Sequence, residues 1–181
     1  MDEDLSRRFL LGAVAGAGVG LASGSAFAAD AEPPMEMEEP TVKVGLEHAF
    51  DIRIDFAPRW LSGDLPWGAK QGYTPIGPRG GIIRGPKLNG SVIPGSGADF
   101  AQVRSDGVVE FDAQYLLEAD DGTKIFIHNT GYGAKGYFRA TPRFRVEKGP
   151  HDWLNWTVIV GSGEPKKAPV DHSIFRYSIV P

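Results

Sequence analysis

Gly107-Val108-Val109-Glu110-Phe111-Asp112-Ala113-Gln114-Tyr115-Leu116-Leu117-Glu118-Ala119-Asp120-Asp121-Gly122 is the stretch that decides the fold. Successive side chains of an extended chain point to opposite faces. Val109, Phe111, Ala113, Tyr115 and Leu117 therefore share one face, and Val108, Glu110, Asp112, Gln114 and Leu116 share the other. One face is plainly the more apolar, which is the mark of a half-buried strand over 107–119. Asp120-Asp121-Gly122 then reads as a tight turn, because Asp bonds its own backbone and Gly accepts a positive φ. Residues 123–130 return as the second arm of a hairpin.

The same grammar extends in both directions. Val42, Val44 and Leu46 alternate with Lys43, Gly45 and Glu47; Phe50, Ile52, Ile54 and Phe56 alternate with Asp51, Arg53 and Asp55. Residues 57–81, with Pro58, Pro66, Pro75, Pro78 and many glycines, read as a long loop that Trp60, Leu61 and Trp67 pack down. Further strands are expected near 87–93, 98–104, 136–146, 154–161 and 172–180, with turns at Ser105-Asp106-Gly107 and Glu147-Lys148-Gly149-Pro150. Beyond residue 28 no stretch of ten or more residues carries a 3.6 period. The expected fold is all-β, a single antiparallel β-barrel, since closure removes the exposed edges that so many strands would otherwise leave.

Two arrangements of the 107–119 strand remain open. Its apolar face packs the barrel interior, leaving Asp112 solvated; or that face meets a partner subunit in a homo-oligomer and Asp112 points into a polar lumen. The first is preferred, because a buried carboxylate needs a partner.

The chain of 181 residues begins with a targeting pattern. Arg7-Arg8 precede a short, Gly- and Ala-rich apolar run, and Ala26-Phe27-Ala28 offers small residues to a signal peptidase. Residues 1–28 read as a twin-arginine signal peptide, which expects a periplasmic or secreted protein and makes the export machinery and signal peptidase its partners. An ordinary secretory signal carrying Arg-Arg is the alternative. The apolar run is too short for a permanent membrane anchor. Residues 29–40, acidic and proline-bearing, read as a disordered linker, and 41–181 as the barrel domain.

Removing the leader leaves 17 basic and 20 acidic residues, a net charge of −3. That is too mild and of the wrong sign for nucleic acid. With no cysteine there is no disulfide, thiolate metal site or thiol nucleophile. His48, His128, His151 and His172 lack metal-ligand spacing, so no metal is expected. Absence of a phosphate loop, dinucleotide fingerprint or Gly-x-Ser-x-Gly elbow removes nucleotide and triad-hydrolase readings, and no cofactor is implied.

From Gly80 onward a family resemblance emerges. Gly80-Gly81-Ile82-Ile83-Arg84-Gly85-Pro86-Lys87-Leu88-Asn89-Gly90 is similar to a Gly-Gly-x-x-x-Gly-Pro-x-Leu-x-Gly motif. Ile93-Pro94-Gly95-Ser96-Gly97-Ala98-Asp99-Phe100 resembles Leu-Pro-Gly-Gly-Ala-Asp-Trp; Asp106-Gly107 followed by Asp112-Ala113-Gln114-Tyr115 resembles Asp-Gly and Asp-Ala-Arg-Tyr. Tyr137-Phe138-Arg139-Ala140-Thr141-Pro142 and Asp152-Trp153-Leu154-Asn155 complete the order. These motifs resemble the "domain of unknown function 3237" family, also called uncharacterised protein family 0311. The resemblance implies a small barrel of the allene oxide cyclase and dirigent type, some members of which act like chalcone isomerases. Gln114, Ser96, Phe100 and Trp156 depart from the pattern.

Within those motifs, Asp99 follows a glycine-rich turn and could serve as a general base, or merely shape the turn. Tyr115 would reach the cavity if its face is the inner one. Arg139 beside Tyr137 on an inward face would clamp an anion or phenolate; otherwise it pairs with a strand carboxylate. Trp153 would wall a cavity and Asn155 donate to a carbonyl, or the two serve as a core anchor and a bulge. The candidate catalytic set is thus Asp99, Tyr115, Arg139 and Asn155, with Tyr137 and Trp153 binding ligand. Nineteen Phe, Trp and Tyr residues, seventeen of them beyond the leader, suit a pocket for a small, partly apolar or aromatic molecule. The leading expectation is a binding protein for such a molecule; the alternative is a cofactor-free isomerase or cyclase acting on a phenolic or enone substrate. An open pocket with a convergent acid and donor favours the enzyme; an open pocket without them favours the binder. A lumen filled by side chains leaves only an oligomeric scaffold.

Overall fold

Period-two alternation builds eleven strands in the computed structural model, which describes residues 41, 43–167 and 171–181. The leader and linker expectations lie outside the described residues. The strands are β1 (Glu47–Phe56), β2 (Trp60–Leu61), β3 (Lys70–Arg84), β4 (Gly90–Val92), β5 (Ala98–Asp99), β6 (Gln102–Val103), β7 (Val109–Ala119), β8 (Lys124–Ala134), β9 (Tyr137–Val146), β10 (Ile159–Lys166) and β11 (His172–Ile179). All pairings are antiparallel, and β1 pairs with both β11 and β3, which closes the barrel. The short β4, β5 and β6 together fill one stave between β3 and β7, giving eight staves around the wall.

The hairpin of residues 107–130 forms as expected. β7 and β8 pair from Val109–Gly133 to Glu118–Lys124, and Gly122 takes a φ of 87° in the turn. Phe111, Ala113, Tyr115 and Leu117 are buried, so the apolar face lines the interior. Asp112 lies on the outer wall, where its Oδ1 meets His128 Nε2 at 2.7 Å.

The segment 57–81 is not a long loop. It holds β2 and most of β3, the longest strand. Its prolines misled because β3 is irregular: Ile54 faces Gly81, yet Phe56 faces Ile76. Pro78 sits in the resulting bulge, where no ladder hydrogen bond is lost, and Gly80 supplies the φ of 61° that the kink needs. Lys43–Leu46 form no strand, and Val44 and Leu46 are exposed, because β11 runs out at Ile179 opposite Glu47. Residues 98–104 divide into β5 and β6. Residues 152–155 form a single 3₁₀ turn that plugs the interior with Leu154, delaying β10 to Ile159.

An aromatic column fills much of the lumen. Phe111 stacks on Phe138 at 4.8 Å, Phe138 meets Phe175 at 5.5 Å, Phe175 stacks on Tyr177 at 5.7 Å, and Tyr177 meets Phe50 at 5.3 Å. Glycines opposite make the room: a Cβ on Gly161 would lie 2.7 Å from the Tyr177 ring, and one on Gly163 2.4 Å from Phe138.

Candidate functional site

The column stops short of one end, near the C-terminal end of β1 and the start of β11. There the lumen opens into a cavity of about 300 Å³. Strand register explains which side chains converge on it. Opposed residues in an antiparallel ladder share a face. Thr74 faces Asp99, Asp99 faces Ala113, and Ala113 faces Asn129, so one transverse row crosses β3, β5, β7 and β8. All four line the cavity. Tyr115, two residues along β7, shares their face and adds the floor. Phe111, Phe138 and Phe175 wall the sides, and Arg59, Trp60 and Leu61 stand at the mouth, where Arg59 pairs with Asp171.

The walls are mostly apolar, which makes Asp99 unusual. Burial pushes its carboxyl up to about 6 from 3.8. The Asp112 backbone N–H, donating to Asp99 Oδ1 at 2.9 Å, and the more distant Arg59 charge work against that rise, while the Asp112 carboxylate adds to it. Burial also holds the Tyr115 hydroxyl far above the usual phenol value, with Asp99 adding to the shift, so it stays protonated and able to donate. Tyr115 Oη, Asn129 Oδ1 and Tyr177 Oη are buried without a hydrogen-bond partner. Tyr115 and Asn129 lie close enough to the Tyr177 hydroxyl to couple with it, but at geometry short of a full hydrogen bond.

The structure brings together only two of the six residues singled out from sequence, Asp99 and Tyr115. Tyr137 and Arg139 face outward, correcting the inward clamp. The parity of β9 is set by buried Ala140 and Phe144, with Phe138 beside them. Arg139 Nη1 donates to Phe138 O and Ser162 Oγ, each at 3.0 Å, and its guanidinium lies over the Tyr137 ring at 5.1 Å. Asn155 faces no cavity carbonyl. Its Oδ1 accepts from Val146 N–H and its Nδ2 donates to Val146 O, both at 3.0 Å, so it caps the β9 edge like a strand residue. Trp153 is half-buried against the core and borders a separate surface hollow with Trp156 and Val158.

Sequence reasoning missed Arg59, Thr74 and Asn129. The first two lay in the supposed loop. Asn129 carried a usable signal: it continues the inward parity of Ile125 and Ile127 and breaks its apolar run. Among the described residues no cluster of three or more His, Asp or Glu could hold a metal.

Comparison with known proteins gives consistent matches. The model of the family described as "Protein of unknown function (DUF3237)" matches residues 44–136. A UPF0311 protein of Rhodopseudomonas palustris is 33% identical over 141 residues, covering 68% of this chain and 88% of the relative. The "hydroalkoxylation enzyme phnH" of Penicillium herquei is 34% identical over 119 residues, covering 65% of this chain and 72% of that enzyme. Among solved structures, a β-barrel like protein from Acinetobacter baumannii superposes with a TM-score of 0.70 at 29% identity, covering 81% of this chain and all of that one. An enzyme from Penicillium herquei shares the fold, with a TM-score of 0.65 at 21% identity over 80% of this chain and all of that one.

Proposed function

This chain belongs to the DUF3237 family, and from that premise we propose that it is a cofactor-free isomerase or cyclase acting on a small phenolic or enone substrate. One observation carries the reading: an acid poised near neutrality, Asp99, faces an apolar cavity beside a protonated hydroxyl, Tyr115. An acid–base group works best when its pKa lies near the working pH. In ring closure, Asp99 takes the proton of a substrate hydroxyl as that oxygen attacks a conjugated carbon–carbon double bond. The C–O bond forms, and Asp99 returns the proton to the neighbouring carbon. Every atom stays in the product, so the step needs no redox partner. Tyr115 holds the substrate by donating to one of its oxygens, and the aromatic walls exclude water.

Hydroalkoxylation, the activity in the name of the Penicillium herquei relative, is chemistry of this kind: an O–H adds across a double bond. A pure binding protein is the weaker reading because it has no use for a carboxyl kept so far from its ordinary value. The same proposal places the protein in the periplasm or outside the cell, delivered by the twin-arginine machinery and trimmed by signal peptidase.

The test follows loss of enone absorbance when the purified protein meets ortho-hydroxyaryl enones. We expect turnover above the uncatalysed rate, at least about 100-fold lower in Asp99→Asn, the scale on which a general base acts. Binding without turnover in the unmodified protein leaves the binder reading in place of the enzyme.

A further inference from the structure

The cavity floor carries more polar atoms than the acid–base step uses. Tyr115 and Asn129 are each 1% exposed and line the cavity, and Tyr115 Oη and Asn129 Oδ1 have no partner. Tyr177, fully buried behind them, couples to both, though its Oη also makes no hydrogen bond of full geometry. Buried polar atoms are nearly always satisfied, and each orphan costs stability. Two such atoms on the floor of one mostly apolar cavity, with the Tyr177 hydroxyl behind them, mark a place prepared for polar atoms from outside the chain.

We propose that this floor is a recognition site for a hydroxyl group on an aromatic ligand, with Tyr115 donating to the hydroxyl oxygen and Asn129 Oδ1 accepting its proton. A hydroxyl is both donor and acceptor, so it satisfies both residues at once. A carbonyl or ether oxygen answers Tyr115 but leaves Asn129 Oδ1 bare. Asn129 is thereby the specificity-determining residue. It sits in the same transverse row as Asp99, with Ala113 on the strand between them. Two strand spacings separate the two backbones by about 10 Å. A flat ligand of two or three rings spans that distance, its hydroxyl anchored at Asn129 and its reacting group at Asp99. The inference rests on the cavity being the ligand site and adds to it what the site selects.

Three probes of one shape test it: 2-naphthol, 2-methoxynaphthalene and naphthalene, titrated calorimetrically into the protein and into Tyr115→Phe and Asn129→Leu. The expected result is 2-naphthol bound at least about tenfold tighter than 2-methoxynaphthalene, the scale of one buried hydrogen bond. Both variants should lose that preference while naphthalene affinity stays within about threefold, and both should melt no lower than the parent, because an orphaned polar atom has gone. Equal binding of 2-naphthol and 2-methoxynaphthalene by the parent overturns the proposal. So does a preference that survives in both variants, especially if they melt at lower temperature, since the residues are then structural. Failure of all three probes to bind removes the cavity reading itself, a result distinct from loss of selectivity.

Discussion

The backbone N–H of Asp112 donates to Asp99 Oδ1 across 2.9 Å, tying the buried carboxyl of β5 to β7. The same residue places its own carboxylate on the outer wall against His128. Asp99 is thus fixed in position by a strand whose side-chain charge makes its ionisation harder.

That relationship gives stability a pH dependence of definite sign. The Asp99 carboxyl rises from 3.8 to about 6 on folding, so between those values the folded chain holds more protons than the unfolded one. Its contribution to stability therefore falls as pH climbs through the window, by roughly 3 kcal/mol in total for a shift of this size. Asp99→Asn keeps the acceptor for Asp112 N–H and removes the charge. Urea unfolding should show the variant more stable than the parent at pH 7.5, with a much smaller gain at pH 4.5. An equal gain at both pH values would contradict a raised carboxyl.

Arg139 and Asn155 should behave as wall residues. Arg139→Ala is expected to cost under about 1 kcal/mol, as for exposed charged contacts. Asn155→Ala should cost about 1–2 kcal/mol through its lost bonds to Val146. Neither should change ligand affinity, which calorimetry on both variants checks against their melting temperatures.

Gly131 is expected to tolerate no side chain. A Cβ there would lie 2.0 Å from Arg139 O and 2.5 Å from Phe111 Cζ, and the backbone oxygen cannot step aside. Gly131→Ala should lose about 3 kcal/mol in denaturant titration, the upper range for overpacking. It should also weaken ligand binding, because the displaced Phe111 ring walls the cavity.

Replacing Arg7 and Arg8 by lysine should hold the precursor in the cytoplasm. Fractionation of cells expressing the variant measures it. Mature protein reaching the periplasm at parental levels would mean a general secretory route.

The barrel was legible because β7 and β8 announce themselves locally. Five inward positions at period two and an Asp-Asp-Gly turn need no distant partner to be read. Asp99 and Tyr115 were legible as candidates, one by its glycine-rich turn and the other by its apolar parity. β3 was not, because prolines normally exclude a strand, yet Pro78 sits in a bulge that relieves it and Pro75 stands in the ladder opposite the two-residue β5.

Alternation along the chain determined which residues share a face: Tyr137 with Arg139, Asp112 with Gln114, Ile127 with Asn129. Only the closed barrel decided which face is inside where both carried polar and apolar groups, as on β9, where Ala140 and Phe144 took the interior and sent Arg139 out. Closure likewise assembled the site. Asp99, Tyr115 and Asn129 come from three adjacent strands whose registers set Asp99 opposite Ala113 and Ala113 opposite Asn129, and closure brought Phe175 of β11 and Ile54 of β1 to the same cavity. Period two is a local steric property of an extended backbone. Inward orientation and register are set by which apolar sets can be buried together, and that is a property of the whole wall.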